Sequence, residues 1–396
     1  MNQQTNSISR LGLLACLLSG LTACDDGDVD NTINFSVNDV VQRGTVHSLD
    51  LPGGSVQSLP ENAPEQEAEK VELGRLLFWD PVLSGNQDMA CATCHLPNRG
   101  YTDDLDLSIG VGGVGQGNAR VLGHAGFTER NAQTILNTVF NGIDENGAFD
   151  QATAPMFWDS REKSLEEQAL DPIESQVEMR GDAIAEGDII PTVMARLNSN
   201  SKYLALFQQA YGTDSIEGEQ VLDAIATFER TLVANNSPFD RWMRGDASAM
   251  TNNQLVGMRE FTVNNCIACH SGPMFSDFEL HVLGVAENSK NSTPDTGDGN
   301  FAFRTPSLRN LGLTAPYMHN GRFSTLRETV QFYDEPASEN PNVPNSALDP
   351  DFTSIGEIEG ERLDRLVDFL NSLNDDQFDK KQPETVPSGL KPGGNI

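Results

Sequence analysis

The sequence predicts a mainly α-helical fold of two lobes with long loops. Three observations predict it. Apolar residues recur at helical spacing behind helix-start signals, and no run of alternating apolar and polar residues appears that would build a sheet. One five-residue pattern, C-x-x-C-H, occurs twice, at Cys91-Ala-Thr-Cys94-His95 and at Cys266-Ile-Ala-Cys269-His270. A chain of 396 residues can hold two domains of ordinary size. One copy per lobe suggests duplication, although only this pattern repeats clearly.

The helices follow in order. The first begins after Pro64 and ends by Asp80, because Pro81 disfavours helical backbone at the residue before it. Ala68, Val71 and Leu76 lie near one of its faces. Ser164-Leu-Glu-Glu167 reads as a capping box opening a short helix that stops before Pro172. Val221, Ile225, Phe228 and Leu232 recur at helical spacing, and a helix from about Asn252 to Val263 leads into the second C-x-x-C-H. Thr325-Leu-Arg-Glu328 is a second capping box, and Leu326, Val330 and Tyr333 share the face of the helix it starts. Leu363, Leu366, Leu370 and Leu373 mark the last helix, and the tail after Asp375 is polar and rich in Pro and Gly.

The repeated pattern carries chemistry. Two thiols three positions apart can each add to one vinyl group of the same porphyrin, and the next histidine then supplies an imidazole to the iron. A single C-x-x-C could be a redox dithiol or half a zinc site. Two copies, each with its histidine and neither near a second cysteine pair, point to two c-type haems. Gly110-Val-Gly112-Gly113-Val-Gly115 matches G-x-G-x-x-G by letter, but no strand precedes it and no helix opens from it. It reads as a flexible loop beside the haem. Asp295-Thr-Gly-Asp298, in the polar loop 284–300, lacks the ligand spacing and terminal Glu of an EF-hand.

The net charge of −32 argues against nucleic acid, whose phosphates need clustered Lys and Arg. It is compatible with a cationic partner or simply with a solvated acidic surface. Four of the six cysteines belong to the haem motifs; the others are Cys16 and Cys24. Arg10 precedes an apolar run, Leu11 to Leu21, which is too short to span a bilayer and reads as the core of a signal peptide. The run ends in Leu21-Thr22-Ala23-Cys24, which resembles a bacterial lipobox. That resemblance implies lipid on Cys24, with Asp25 favouring the inner membrane; the other reading is an ordinary cleaved signal. Export agrees with haem attachment outside the cytoplasm. The chain then divides into a leader 1–23, a flexible acidic tether 24–64, lobes 65–235 and 236–375, and a tail 376–396.

Several segments together resemble the bacterial di-haem cytochrome c peroxidases and the MauG type. They are Leu73-Gly-Arg-Leu-Leu-Phe-Trp79, Leu83-Ser-Gly85, Arg130-Asn131, Phe157-Trp158-Asp159, Leu165-Glu-Glu-Gln168, Val177-Glu-Met179, Phe303-Arg-Thr-Pro-Ser-Leu308 and Leu313-Thr-Ala-Pro-Tyr-Met-His-Asn-Gly321, beside both haem motifs. The resemblance covers residues from about 70 to about 335. It implies two cytochrome c-like haem domains: a peroxidatic haem on His95 and an electron-transfer haem on His270. The activity implied is reduction of hydrogen peroxide to water, with electrons from a small periplasmic donor such as a cytochrome c or cupredoxin. The MauG alternative is peroxide-dependent oxidation of residues in a partner protein. A bare electron carrier is disfavoured by the pocket residues Gln168, Pro172 and Glu178.

Position by position, Glu178 matches the pocket glutamate that moves protons during O–O cleavage, with Gln168 and Pro172 beside it. Trp158 matches the tryptophan between the haems. Asn131, by its side chain, and Thr314 and Pro316, by their carbonyls, match the ligands of a calcium ion. Ser160 departs from the family, which usually has Gly after the Trp-Asp pair. His124 lies near the place of a histidine that blocks the first iron in some members, though an exposed loop histidine is the other reading. His281 and His319 have no derivable role. The second haem's distal ligand is expected to be Tyr333. It lies fourteen residues beyond His319, where peroxidases carry a methionine and MauG-type proteins a tyrosine. Met318 is the rival.

Overall fold

A computed structural model describes residues 65–143 and 154–396. The leader, Cys16, Cys24, Asp25 and the tether 24–64 lie outside the described residues. Among those described, nine helices have six residues or more: α1 (Ala68–Trp79), α2 (Leu165–Glu174), α3 (Glu186–Asn198), α4 (Ser201–Tyr211), α5 (Gly218–Arg230), α6 (Pro238–Met243), α7 (Asn252–Val263), α8 (Leu326–Asp334) and α9 (Gly360–Asn371). The only sheet described pairs β1 (Leu280–His281) with β2 (Phe303–Arg304), antiparallel, with Leu280 opposite Arg304. The mainly helical expectation holds. No helix of the described residues is long and apolar enough to cross a membrane.

The capping box at Thr325 closes in both directions, with Thr325 N donating to the Glu328 carboxylate at 2.9 Å. At Ser164 only half of it forms, because the Glu167 carboxylate accepts from Lys163 N at 3.0 Å instead of from Ser164 N. The Ser164 hydroxyl accepts from Glu167 N at 3.1 Å, and the Thr325 hydroxyl accepts from Glu328 N at 3.2 Å. One boundary differs from expectation, because α2 does not stop before Pro172 but runs on to Glu174. Proline removes only the N–H that would reach the Gln168 carbonyl. The next turn has its own closure, from Ser175 N to Asp171 O at 2.8 Å, so the helix continues. Helices α3, α4 and α6 carried no clear signal in the sequence.

Each lobe has its own apolar core. One gathers Leu73, Leu77, Val193, Phe207 and Ile225, and the other Phe239, Phe261, Phe275, Leu366 and Phe369. Beneath this lies a repeat of geometry. Gly74 of α1 faces the Ala224 carbonyl of α5, and Gly257 of α7 faces the Arg365 carbonyl of α9; a Cβ at either glycine would collide with that oxygen. One turn later on each helix, Phe78 meets Phe228 and Phe261 meets Phe369, both pairs at 5.3 Å between ring centres and edge-on. The same glycine-dependent crossing therefore builds both lobes.

The tail folds back on the first lobe. Asp379 pairs with Arg75 at 2.7 Å, Ser388 donates to the buried Asp80 at 2.6 Å, and the Gly393 carbonyl accepts from Thr93 at 2.9 Å. In the second lobe, the Arg309 guanidinium is buried against Asp240 at 3.0 Å and its Nε donates to the Pro273 carbonyl at 2.7 Å, fixing the loop after the second haem motif.

Gly257→Ala tests the crossing. Alanine is ordinarily the better helix former by about 1 kcal/mol, yet a methyl against the Arg365 carbonyl should cost about 1–3 kcal/mol as overpacking. Denaturation should show clear destabilisation, whereas Gly187→Ala, with open space around it, should be neutral or stabilising. Equal stability of the two variants would contradict the crossing.

Candidate functional site

Each C-x-x-C-H forms one tight turn. The His95 N–H donates to the Cys91 carbonyl at 3.0 Å, and the His270 N–H to the Cys266 carbonyl at 2.9 Å. Residues i, i+3 and i+4 of a turn share a side, so both thiols and the imidazole are presented together. The imidazoles are then fixed in the same way. His95 Nδ1 lies 3.0 Å from the Tyr101 carbonyl, and His270 Nδ1 lies 2.9 Å from the Phe275 carbonyl. A carbonyl only accepts, so Nδ1 carries the proton and Nε2 keeps its lone pair for a metal. Burial also holds both rings below the ordinary histidine range, hence neutral. Tyr101 and Phe275 both adopt left-handed backbone (φ 59° and 52°) to aim those carbonyls.

One cavity of about 930 Å³ runs past both motifs and is lined by all four cysteines, His95 and His270. Its walls are apolar beside each motif, with Met89, Leu136 and Ile225 at the first and Phe261, Leu308 and Leu370 at the second. Burial pushes the Cys91 and Cys266 thiols up to about 12, opposite to the lowered range of a reactive dithiol. Paired thiols, a neutral imidazole with a free Nε2 and an apolar slot in each lobe fit two covalently held haems.

The structure brings most of the expected site residues to this cavity. Glu178, Gln168, Pro172, Trp158, Asn131, Thr314, Pro316, Tyr333 and Met318 all line it. Glu178 sits on a single π turn, Gln176–Arg180. Burial raises its carboxyl to about 7, with Arg161 opposing the shift and Asp171 adding to it. The glycine-rich stretch turns out to hold that turn in place. Val111 N donates to the Val177 carbonyl at 2.9 Å, and Gly110 approaches so closely that a Cβ there would strike the same oxygen. The loop expected to be flexible is therefore pinned beside the cavity.

Trp158 joins two elements of the wall. Its indole N–H donates to the Asn131 carbonyl at 3.0 Å, and its own carbonyl accepts from Arg304 N at 2.6 Å. Asn131 N donates to the His319 carbonyl at 2.8 Å, tying it to the 314–319 loop. Its side-chain amide N–H donates to the Leu105 carbonyl at 2.7 Å. The His319 ring stacks on Phe303 at 3.6 Å, and Arg130 lies over Phe303 while binding Asp295 at 2.7 Å. Asp295, set aside as an EF-hand ligand, is thus an ion-pair partner. His281 lies between Asp277 (3.0 Å) and Asp349 (2.7 Å), and Asp277, the Cys269 sulfur and Asp349 together push it up to about 11 against the opposing effect of burial. His124 is on an exposed loop near Asp182 and does not line the cavity, which favours the exposed-loop reading. Ser160 has φ 56°; this left-handed position suits the glycine that the family usually places there.

Two residues of the wall escaped the sequence reading. Glu229 of α5 is buried with one oxygen lacking a partner, and burial raises its carboxyl to about 8. A charged residue on the otherwise apolar face of α5 was the available signal. The other is Arg304, a buried guanidinium on β2.

The family model described as di-haem cytochrome c peroxidase matches residues 68–248. The chain is 30% identical to the methylamine utilization protein MauG of Methylophilus methylotrophus over 356 residues, covering 85% of this chain and 93% of that protein. It is 32% identical to the cytochrome c551 peroxidase of Nitrosomonas europaea over 341 residues, covering 84% and 88%. Among solved structures, a MauG-like protein associated with microbial copper homeostasis superposes with a TM-score of 0.65 at 25% identity, covering 84% of this chain and 95% of that one. The diheme peroxidase BthA of Burkholderia thailandensis shares the fold, with a TM-score of 0.63 at 20% identity, covering 86% and 98%.

Glu229 makes stability depend on pH. An unfolded glutamate titrates near about 4.3, and this one titrates at about 8 in the fold. Between those values the folded chain keeps a proton that the unfolded chain has lost, so its contribution falls as pH rises and is gone above about 8. Arg230, Glu166 and the Cys91 thiol are the groups facing it. Glu229→Gln should therefore lose less stability than the unmutated protein between about pH 5 and about pH 9. Parallel melting curves across that range would contradict the assignment.

Proposed function

We propose, since this chain belongs to the di-haem cytochrome c peroxidase family, that it reduces hydrogen peroxide to water with electrons from a small periplasmic donor, a cytochrome c or a cupredoxin. Cys91, Cys94 and His95 would hold the first haem, which would supply the redox chemistry for peroxide, and Cys266, Cys269 and His270 would hold the second, which would supply electron relay. The observation that carries the reading is Glu178, an acid lining the same cavity as His95 with its carboxyl raised to about 7.

A group near half-ionised at neutral pH can take a proton from one peroxide oxygen and return it to the other. Gln168 and Pro172 on α2 line the same cavity. Pro172 has no N–H, so the Gln168 carbonyl keeps acceptor capacity for a proton donor in the cavity. Trp158 is the bridge for electrons, supported by its bonds to Asn131 and Arg304 on two sides of the wall. Asn131 Oδ1 and the carbonyls of Thr314 and Pro316, with waters, make an oxygen set suited to calcium; the bond from Asn131 to His319 supports their proximity. Cys24 carries lipid in this reading and holds the protein on the periplasmic side, Asp25 favouring the inner membrane.

A second reading, oxidation of residues in a partner protein, is favoured by Tyr333. Its phenol lines the cavity, and burial, with Cys266 and Cys269 close enough to add to the effect, pushes its pKa well above the ordinary tyrosine value. The influence of those two cysteines supports a position beside the second motif. A phenolate donor favours ferric iron, whereas a thioether from Met318 favours ferrous.

Glu178→Gln should keep both haems attached and slow the reaction with peroxide by about 10²–10⁴-fold. In the unmutated protein the rate should fall as pH drops through about 7, because the protonated acid cannot accept a proton. Unchanged peroxide kinetics in the variant would remove Glu178 from the mechanism.

Tyr333→Phe and Met318→Leu separate the two readings at the second haem. Near-infrared and magnetic spectra should change in Tyr333→Phe and be insensitive to Met318→Leu. A His–Met charge-transfer band in the unmutated protein, lost only in Met318→Leu, would return the chain to the ordinary peroxidase pattern.

A further inference from the structure

Arg304 is a buried cation to which no carboxylate among the described residues is bonded. It is 5% exposed. Its Nε donates to the Phe157 carbonyl at 2.9 Å, and no other side-chain hydrogen bond of it is seen. The other buried arginines are used differently. Arg309 meets Asp240, Arg230 meets Glu166 and Arg75 meets Asp379, while Arg120 spends its donors on main-chain carbonyls and the Met89 sulfur. Asp159 is the negative charge Arg304 feels, but that carboxylate is already paired with Arg130 at 2.7 Å and Arg161 at 3.1 Å. In a chain of net charge −32, a buried guanidinium without its own acid is conspicuous. Desolvating such a charge is costly unless an anion compensates it, and burial here lowers the guanidinium to about 10.

Arg304 lines the cavity, so the compensating anion can come with the cavity's occupant. Hydrogen peroxide is neutral at physiological pH and does not answer the need. A haem carries two propionate carboxylates, and a guanidinium fork matches a carboxylate with two parallel bonds. The placement favours the second haem. Arg304 pairs with Leu280 across β1 and β2, and the Ser276 hydroxyl donates to the Thr305 carbonyl at 2.7 Å. Ser276 directly follows Phe275, whose carbonyl holds His270. The segment carrying Arg304 is thus built against the segment that orients the second haem's histidine.

We propose that Arg304 binds a propionate of the haem attached at Cys266 and Cys269, beside Trp158. Because Arg304 N also donates to the Trp158 carbonyl, this pairing fixes the edge of that haem to the residue between the two sites. It also keeps a positive charge near the second iron, raising that haem's midpoint potential.

The inference rests on two haems being present, which covalent haem mass per chain tests separately. The holoprotein is compared with Arg304→Gln and Arg304→Lys by spectroelectrochemistry. At full haem content, the second haem's midpoint should shift downward in Arg304→Gln and less in Arg304→Lys, which keeps the charge but loses the fork. The first haem's midpoint should stay in place. An unmoved second haem, or a shift confined to the first, would overturn the proposal. If Arg304→Gln does not fold, resonance Raman of Arg304→Lys decides: the second haem's propionate-bending band should differ from that of the unmutated protein, and an identical band would overturn the assignment.

Discussion

Each half of the molecule depends on one hydrogen bond, from the Nδ1–H of a haem-motif histidine to a main-chain carbonyl. That bond fixes the tautomer, and the tautomer decides whether Nε2 can bind iron. The carbonyl is in position because Tyr101 and Phe275 accept left-handed backbone. Their rings are held in turn by Phe78 and Phe261, at 6.3 and 6.2 Å. Those phenylalanines follow one turn after the glycines at the two helix crossings. A chain of contacts therefore runs from a missing methyl group to the ligand atom, and it runs twice.

On this common support the two lobes diverge where chemistry is needed. The first brings a π turn and a raised carboxyl to the cavity; the second brings a half-buried phenol and an aspartate-clamped histidine. The acid-bearing turn depends on Gly110 and on Gly85, whose N–H donates to the Met179 carbonyl at 2.8 Å. In the proposed function, proton handling falls to one lobe and ligand tuning to the other. Trp158 and Asn131 stand where the walls meet, so the division of labour follows from where each loop is anchored.

The motifs were legible in sequence because their chemistry is local: five adjacent residues contain both thiols and the imidazole. Helices with strong periodicity were legible too, α5, α7 and α9 among them. Helix α3 was not, because Gly187 and Pro191 punctuate it like a loop. The Gly-x-x-x-Phe repeat was hidden because Gly74 precedes its cysteine by seventeen residues and Gly257 by nine, so no fixed period exists. Glu178, Gln168 and the proposed calcium ligands came only from family resemblance, since they come from separate segments of the chain and leave no local pattern. Glu229 left a signal only in its place on the inward face of α5, and Arg304 left none, because a buried charge in a loop or short strand looks like any other until its surroundings are known.

The account is tested most directly by mixing the holoprotein, its second haem reduced and its first oxidised, with hydrogen peroxide while following both haems in absorbance. The account predicts that the second haem loses its electron as peroxide is consumed, at the rate of the peroxide reaction, and that added reduced cytochrome c or cupredoxin restores it. Peroxide consumed while the second haem stays reduced would contradict it, since the two lobes would then share a cavity without sharing electrons.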